Sequence, residues 1–218
     1  MAPFPYGLVT VDIDGTLTQG HGWSYLAERL GRPREYERTQ EAFTSGAIGE
    51  DEHLANLLAL AEGASRREVA RILSETPRVA GIREAVQRLH GLGAHVALLT
   101  HNPSYICDWY RARFNIDASD GLLGSPRFRA GRVGAPGTVR ADKLGGLERL
   151  ATRFGVPPTR IAHVGDGAAD ASVFPLVGLG VAFGTQSLAV RAAADVVVEG
   201  RDLRRVVAAL ERSPPARG

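Results

Sequence analysis

The stretch "VTVDIDGTLTQG", residues 9–20, sets Asp12 and Asp14 two positions apart where an apolar run meets glycine and threonine. If residues 8–13 form a strand, side chains alternate between its faces and both aspartates fall on one face near its end. Two carboxylates that close repel and raise each other's pKa unless a cation lies between them or the chemistry itself shares a proton. The pair therefore asks for a metal ion or for acid–base work. Asp-Gly is also an ordinary turn dipeptide, so the pair alone leaves a structural turn open and the rest of the chain must decide.

Three further places carry matching chemistry. Thr100 closes the apolar run "AHVALLT", Lys143 is the only lysine among 26 basic residues, and Asp166 and Asp170 sit in "GDGAAD". In a chain that otherwise uses arginine, a lone lysine is either a chance survivor of that bias or a position that needs a compact ammonium rather than a planar fork. Acid, hydroxyl, amine and acid make a phosphoryl-transfer set. An aspartate can form an acyl phosphate, and Mg2+ held by carboxylates can neutralise the charge between nucleophile and phosphate. A lysine and a hydroxyl can grip the phosphoryl oxygens. His21, His101 and His163 are scattered without metal-ligand spacing, and His163, on the strand before Asp166, reads as a packed, sheet-facing residue.

These groups meet only if strand ends bring them together. From residue 79 onward helical and strand-like segments alternate, which predicts a mostly parallel sheet with right-handed crossovers and reactive groups beyond the strands' carboxyl ends. "NPSYICDWYRARFN" reads as a helix capped by Asn102 with Pro103 at its first position. Residues 117–140 read as a hairpin or loop excursion. "KLGGLERLATRFG" places Leu144, Leu147, Ala151 and Phe154 on one helical face. Residues 18–78 differ: they read as helices throughout, over "HGWSYLAERLG", "EDEHLANLLALAEG" and "SRREVARILSE", the last with a Ser65–Glu68 capping box. The expected division is a core of residues 1–17 and 79–218, a helical insertion over 18–78, and a disordered tail over 213–218.

Bulk properties narrow the class. The 218 residues suffice for one large domain with a modest insertion. A formal charge of +2 with dispersed basic residues gives no case for nucleic acid. No apolar run approaches membrane-spanning length, and no signal-peptide pattern opens the sequence. The single Cys107 excludes an intramolecular disulfide and a cysteine zinc cluster, so a reducing cytoplasm is the expected compartment. Nothing in the sequence sets the oligomeric state.

The set "DIDGT", "LLTHN", Lys143 and "GDGAAD" resembles the four motifs of the haloacid dehalogenase superfamily in its phosphatase form. The insertion after the first motif and the run "VGDGAADASVF" resemble the phosphoserine phosphatase-like subgroup with its small helical cap. The resemblance covers nearly the whole chain and implies an α/β fold with a Rossmann-like parallel core and a helical cap inserted after the first strand. It implies that Asp12 is the nucleophile and a Mg2+ ligand, and that Asp14 is the general acid and base and a metal ligand through its carbonyl. Thr100 and Lys143 would bind phosphate, with Gly15 and His101 also at the phosphate. Asp166 would ligate Mg2+, and Asp170 would support the metal directly or through water.

The expected activity is hydrolysis of a small phosphorylated metabolite. A phosphotransferase using the same aspartyl phosphate, and a noncatalytic module that keeps the fold, are the competing readings. Free phosphoserine is the disfavoured substrate. The subgroup's specific enzymes carry a glutamate where His21 stands and an arginine in the second cap helix, whereas here no arginine or lysine occurs between Arg38 and Arg66. His21, Trp23, Tyr25 and Phe43 are the expected pocket residues.

Overall fold

The computed structural model describes residues 3–217; residues 1, 2 and 218, at the ends of the expected core and tail, lie outside the described residues. The chain opens with β1 (Leu8–Val11) and then enters four helices: α1 (Gly22–Arg29), α2 (Pro33–Thr44), α3 (Glu50–Leu60) and α4 (Arg66–Glu75). It returns through α5 (Ile82–Gly91), β2 (His95–Leu99), α6 (Ser104–Phe114) and β3 (Ala118–Asp120). Four two-residue strands follow: β4 (Leu122–Leu123), β5 (Phe128–Arg129), β6 (Arg132–Val133) and β7 (Arg140–Ala141). The remainder is α7 (Lys143–Phe154), β8 (Ile161–Gly165), α8 (Ala168–Ala171), β9 (Leu179–Phe183), α9 (Leu188–Ala193), β10 (Val196–Val198) and α10 (Arg204–Leu210).

Six strands form one parallel sheet in the order β10-β9-β8-β1-β2-β3. Every residue of β1, β8 and β9 is buried, as expected of central strands with helices over both faces. The chain order reverses beside β1, where one neighbour is β2 and the other β8. Crevices at such a reversal are where parallel sheets bind ligands. A bridge between Thr18 and Arg78 closes the neck through which the chain enters and leaves the four helices.

Several local expectations are corrected. β1 ends at Val11, so Asp12 and Asp14 lie in the turn beyond it and not on one strand face; the Ile13 carbonyl accepts from the N–H groups of Leu17 and Thr18 and bends the chain there. The insertion has a fourth helix, α2, beyond the three segments named; its sequence "PREYERTQEAFT" is strongly polar, with only Thr39 buried. Within residues 117–140, "ASD" forms β3, a sixth strand of the main sheet, too short and polar to signal itself. Helix α6 is capped by Pro103 rather than Asn102, which frees the Asn102 side chain for other work. On α7 the buried face is Lys143, Gly146, Leu147 and Leu150, while Leu144 is exposed. At α4, Ser65 Oγ accepts from the Glu68 N–H at 3.1 Å, which is the N-cap half of the expected capping box.

The tail expected to be disordered is docked. The Tyr6 hydroxyl donates to the Ser213 carbonyl at 2.7 Å, the Ala216 N–H donates to Gly178 at 2.7 Å, and Arg217 pairs with Asp195 at 2.8 Å. Composition marks "SPPARG" as tail-like because it holds no apolar periodicity. What orders it is a set of backbone and charged partners remote in sequence.

Candidate active site

Beyond the carboxyl ends of β1, β2 and β8 the four motifs converge. Asp12 is held by its N–H, which donates to the Val164 carbonyl of β8 at 3.0 Å, extending the strand pairing by one residue. Parallel register places Val11 opposite both Leu98 and Val164, so Asp12, Thr100 and Asp166 emerge side by side. Lys143 begins α7, whose cap is Asp142, accepting from the Gly145 N–H at 3.2 Å. Its ammonium reaches across the crevice to Asp12 Oδ1 at 3.2 Å and Asp170 Oδ1 at 2.5 Å.

The cluster is buried and electrostatically coupled. Burial pushes the Asp12 carboxyl above the usual carboxylate range; the Asp170 and Asp14 charges add to that, against Lys143 and a Thr100 hydrogen bond. Asp166 is pushed up to about 7 by burial and by the charges of Asp12 and Asp170. Burial would also raise Asp170, but the Lys143 ammonium and the His163 hydrogen bond outweigh it and hold this carboxyl well below its ordinary range. Burial opposes the charge on Lys143, yet the facing carboxylates hold its pKa above the usual value. Oxygens of Asp12, Asp166 and Asp170 lie within 4.8 Å of one another. Three hard oxygen donors with one ammonium among them leave net negative charge, and that donor chemistry fits Mg2+.

Asp14 is held differently. Its Oδ1 accepts from the Gly22 N–H at 2.7 Å and its Oδ2 from the Asn102 amide at 2.8 Å, so the first turn of α1 and the loop after β2 both fix it. Asn102 also donates to Thr100 Oγ1 at 3.1 Å, tying the first and second motifs together. Sequence reasoning missed this role by assigning Asn102 to the helix cap. Thr16 Oγ1 donates to Asp166 Oδ1 at 3.0 Å, a contact whose only sequence signal is its place in "DIDGT". Gly15 is required by geometry: its φ is +76°, and a Cβ there would stand 2.0 Å from Asp166 Oδ2.

The helical insertion roofs a cavity of about 280 Å3 whose floor is Asp12, Asp14, Thr100, Lys143, Asp166 and Asp170. Its walls include His21, Trp23 and Phe43, as expected, and also Glu50, His53, Leu54, Leu57 and His101. Phe43 stacks flat on His53, with centroids 4.5 Å apart. His101 Nδ1 lies 3.2 Å from Glu50 at the start of α3, linking core and roof. Tyr25 is the exception among the expected pocket residues. It does not line the cavity; its hydroxyl accepts from Arg29 at 2.6 Å, because one helical turn separates the two on the far side of α1. A larger groove of about 610 Å3 between α4 and α6 contains Arg66, Trp109 and Arg127 but none of the clustered carboxylates.

Comparison with known proteins agrees with this geometry. A family model described as haloacid dehalogenase-like hydrolase matches residues 6–178. The chain is 30% identical over 210 residues to the phosphoserine phosphatase of Albidiferax ferrireducens, covering 93% of this chain and 88% of that protein. It is 27% identical over 215 residues to the phosphoserine phosphatase of Idiomarina loihiensis, covering 95% and 94% respectively. Among solved structures, a phospho-aspartyl intermediate analogue of phosphoserine phosphatase aligns with a TM-score of 0.77 at 21% identity, over 94% of this chain and 98% of that one. A parallel sheet with four motifs at its strand ends, matched along most of its length, places the chain in the haloacid dehalogenase-like hydrolase family, within its phosphoserine phosphatase-like subgroup.

Proposed function

We propose that this protein is a Mg2+-dependent phosphomonoesterase acting on a small phosphate ester through an aspartyl phosphate. The observation that carries this reading is the Lys143 ammonium 3.2 Å from Asp12 Oδ1 beside three converging carboxylates. Asp12, Asp166 and the Asp14 carbonyl would hold the Mg2+, with Asp170 supporting them; when bound, the ion offsets the charge that keeps a carboxylate from approaching a phosphate.

Asp12 attacks phosphorus, the ester P–O bond breaks, and Asp14 gives its proton to the departing alkoxide. Asp14 then takes a proton from water as the water oxygen attacks phosphorus, releasing inorganic phosphate and restoring Asp12. Lys143, Thr100, His101 and the backbone at Gly15 bind the phosphoryl oxygens, and the roof excludes bulk water. Phosphate release across a panel of phosphorylated metabolites, with and without chelator, tests the reading; an added acceptor alcohol distinguishes hydrolysis from transfer. Among the described residues no helix is long and apolar enough to cross a membrane, and the buried free Cys107 fits a reducing cytoplasm.

Beyond the phosphate, the walls favour a leaving group without a carboxylate. Helix α3 presents Leu54 and Leu57 to the cavity, and among the described residues no guanidinium lines it. Lys143, the only lysine, is already paired with two carboxylates. Losing a charge-assisted hydrogen bond to a substrate carboxylate costs about 1.5–3 kcal/mol. A ring-bearing or sugar phosphate, set against Trp23, Phe43 and the imidazoles of His21 and His53, suits these walls better than free phosphoserine. The names of the relatives favour the second reading, in which phosphoserine itself is the substrate. Comparing kcat/KM for phosphoserine with that of the best ester in the panel decides between them.

A further inference from the structure

His163 is fully buried in β8, and no step above uses it. Both ring nitrogens are engaged: Nδ1 lies 2.9 Å from Thr10 Oγ1 and Nε2 lies 2.9 Å from Asp170 Oδ1. Strand register sets this up, because Thr10 of β1 is paired with His163 of β8 and both are wholly inaccessible. An ionised carboxylate only accepts, so a neutral ring must carry its hydrogen on Nε2 and donate it to Asp170. Nδ1 then accepts from the Thr10 hydroxyl, whose other acceptor, the Ala162 carbonyl, is farther away at 3.4 Å.

Asp170 thereby has four donors. Oδ1 receives His163 and Lys143, while Oδ2 receives the backbone N–H groups of Asp166 at 3.2 Å and Gly167 at 3.0 Å. The geometry points to His163 as a positioning residue that fixes the orientation of Asp170, and through it the placement of both Lys143 and the Asp166 loop. Without the imidazole donor, Oδ1 keeps only the ammonium, and rotation of the carboxylate draws Lys143 away from Asp12 and loosens the Asp166 backbone. A histidine that merely filled the core could be replaced by an apolar residue of similar volume without reaching the site. Here replacement leaves a buried carboxylate oxygen short of a donor. The catalytic consequence rests on the phosphomonoesterase reading, whereas the hydrogen-bond order does not.

The test uses three variants of the full chain. His163→Leu keeps volume and removes the donor, His163→Gln restores an N–H at about the reach of Nε2, and Thr10→Val removes the hydroxyl that sets the tautomer. Loss of such an outer partner typically lowers activity or metal affinity about 10–100-fold. We expect His163→Leu to lower kcat by that range with little change in KM, His163→Gln to recover most of it, and Thr10→Val to fall between. A second readout needs no turnover: the imidazole nitrogen NMR spectrum of the wild type should show the Nε2–H tautomer, and calorimetric binding of beryllofluoride with Mg2+ should weaken in His163→Leu. Failure of every ester to release phosphate, with these two results intact, would overturn the phosphatase reading and leave the positioning role standing. An Nδ1–H tautomer, or wild-type beryllofluoride affinity in a folded His163→Leu, overturns the positioning role.

Discussion

Replacing Lys143 by methionine isolates the charge that the buried cluster depends on. The side chains are similar in volume, so packing changes little, and what disappears is the ammonium between Asp12 at 3.2 Å and Asp170 at 2.5 Å. Breaking a buried ion pair by removing one partner costs about 3–5 kcal/mol, because the other partner stays buried and uncompensated. For a chain of this size that corresponds to roughly 6–20 °C in Tm, at about 2–4 °C per kcal/mol.

The loss has a defined pH dependence. In the wild type the Asp170 pKa is depressed on folding, so its contribution is present above the unfolded value of about 3.9 and is lost as pH falls through the folded value. Without Lys143 that depression goes, and the gap between variant and wild type should stay wide from neutrality down to about pH 4 and close only below it, as pH falls through the folded value. Thermal unfolding of metal-free protein from acid to neutral pH measures this, and Mg2+ should return part of the loss by mass action. Leu144→Ala, at the exposed neighbour on the same helix, serves as the control and should shift stability by no more than about 0.5 kcal/mol. A Lys143→Met protein that melts within about 2 °C of wild type at neutral pH without metal would refute the coupling.

Further outcomes follow from the same geometry. Asp12→Asn should fold normally yet lose at least about 10^3-fold in turnover, because an amide of the same shape is a poor nucleophile; near-normal phosphate release would sink the mechanism. Lys143→Arg should also fail, since the larger fork cannot occupy the space between Asp12 and Asp170, and phosphate-release kinetics equal to wild type would show that charge alone matters. Gly15→Ala should weaken Mg2+ binding measured by calorimetry, because the new methyl would collide with Asp166 Oδ2 in a backbone already at φ +76°. Because Asp166 is raised to about 7 in the folded metal-free protein, folding takes up a proton there, and stability should fall as pH rises from about 4 to 7. Asp166→Asn should flatten that slope in urea titrations; an unchanged slope would assign it elsewhere.

The local code was sufficient for the motifs and for most of the elements around them. "DIDGT" and "GDGAAD" carry their own turn glycines, the apolar runs of β1, β2, β8 and β9 have no competing helical period, and Lys143 identifies itself by being the only lysine. Such features depend on a few consecutive residues, so they can be read without knowing what lies across the sheet. Elements with weak local signals were lost: α2 is too polar, β3 too short, and the docked tail has no periodicity at all. Tertiary structure alone decided which residues became neighbours. Strand order set β1 between β2 and β8, and this brought Asp12, Thr100 and Asp166 together across more than half the chain. The same pairing turned Asn102 from an expected cap into a partner of Asp14 and set His163 between Thr10 and Asp170. Side-chain periodicity tells which way a residue faces within its own element, but a hydrogen-bond partner 150 residues away is fixed by sheet register, which no local window contains.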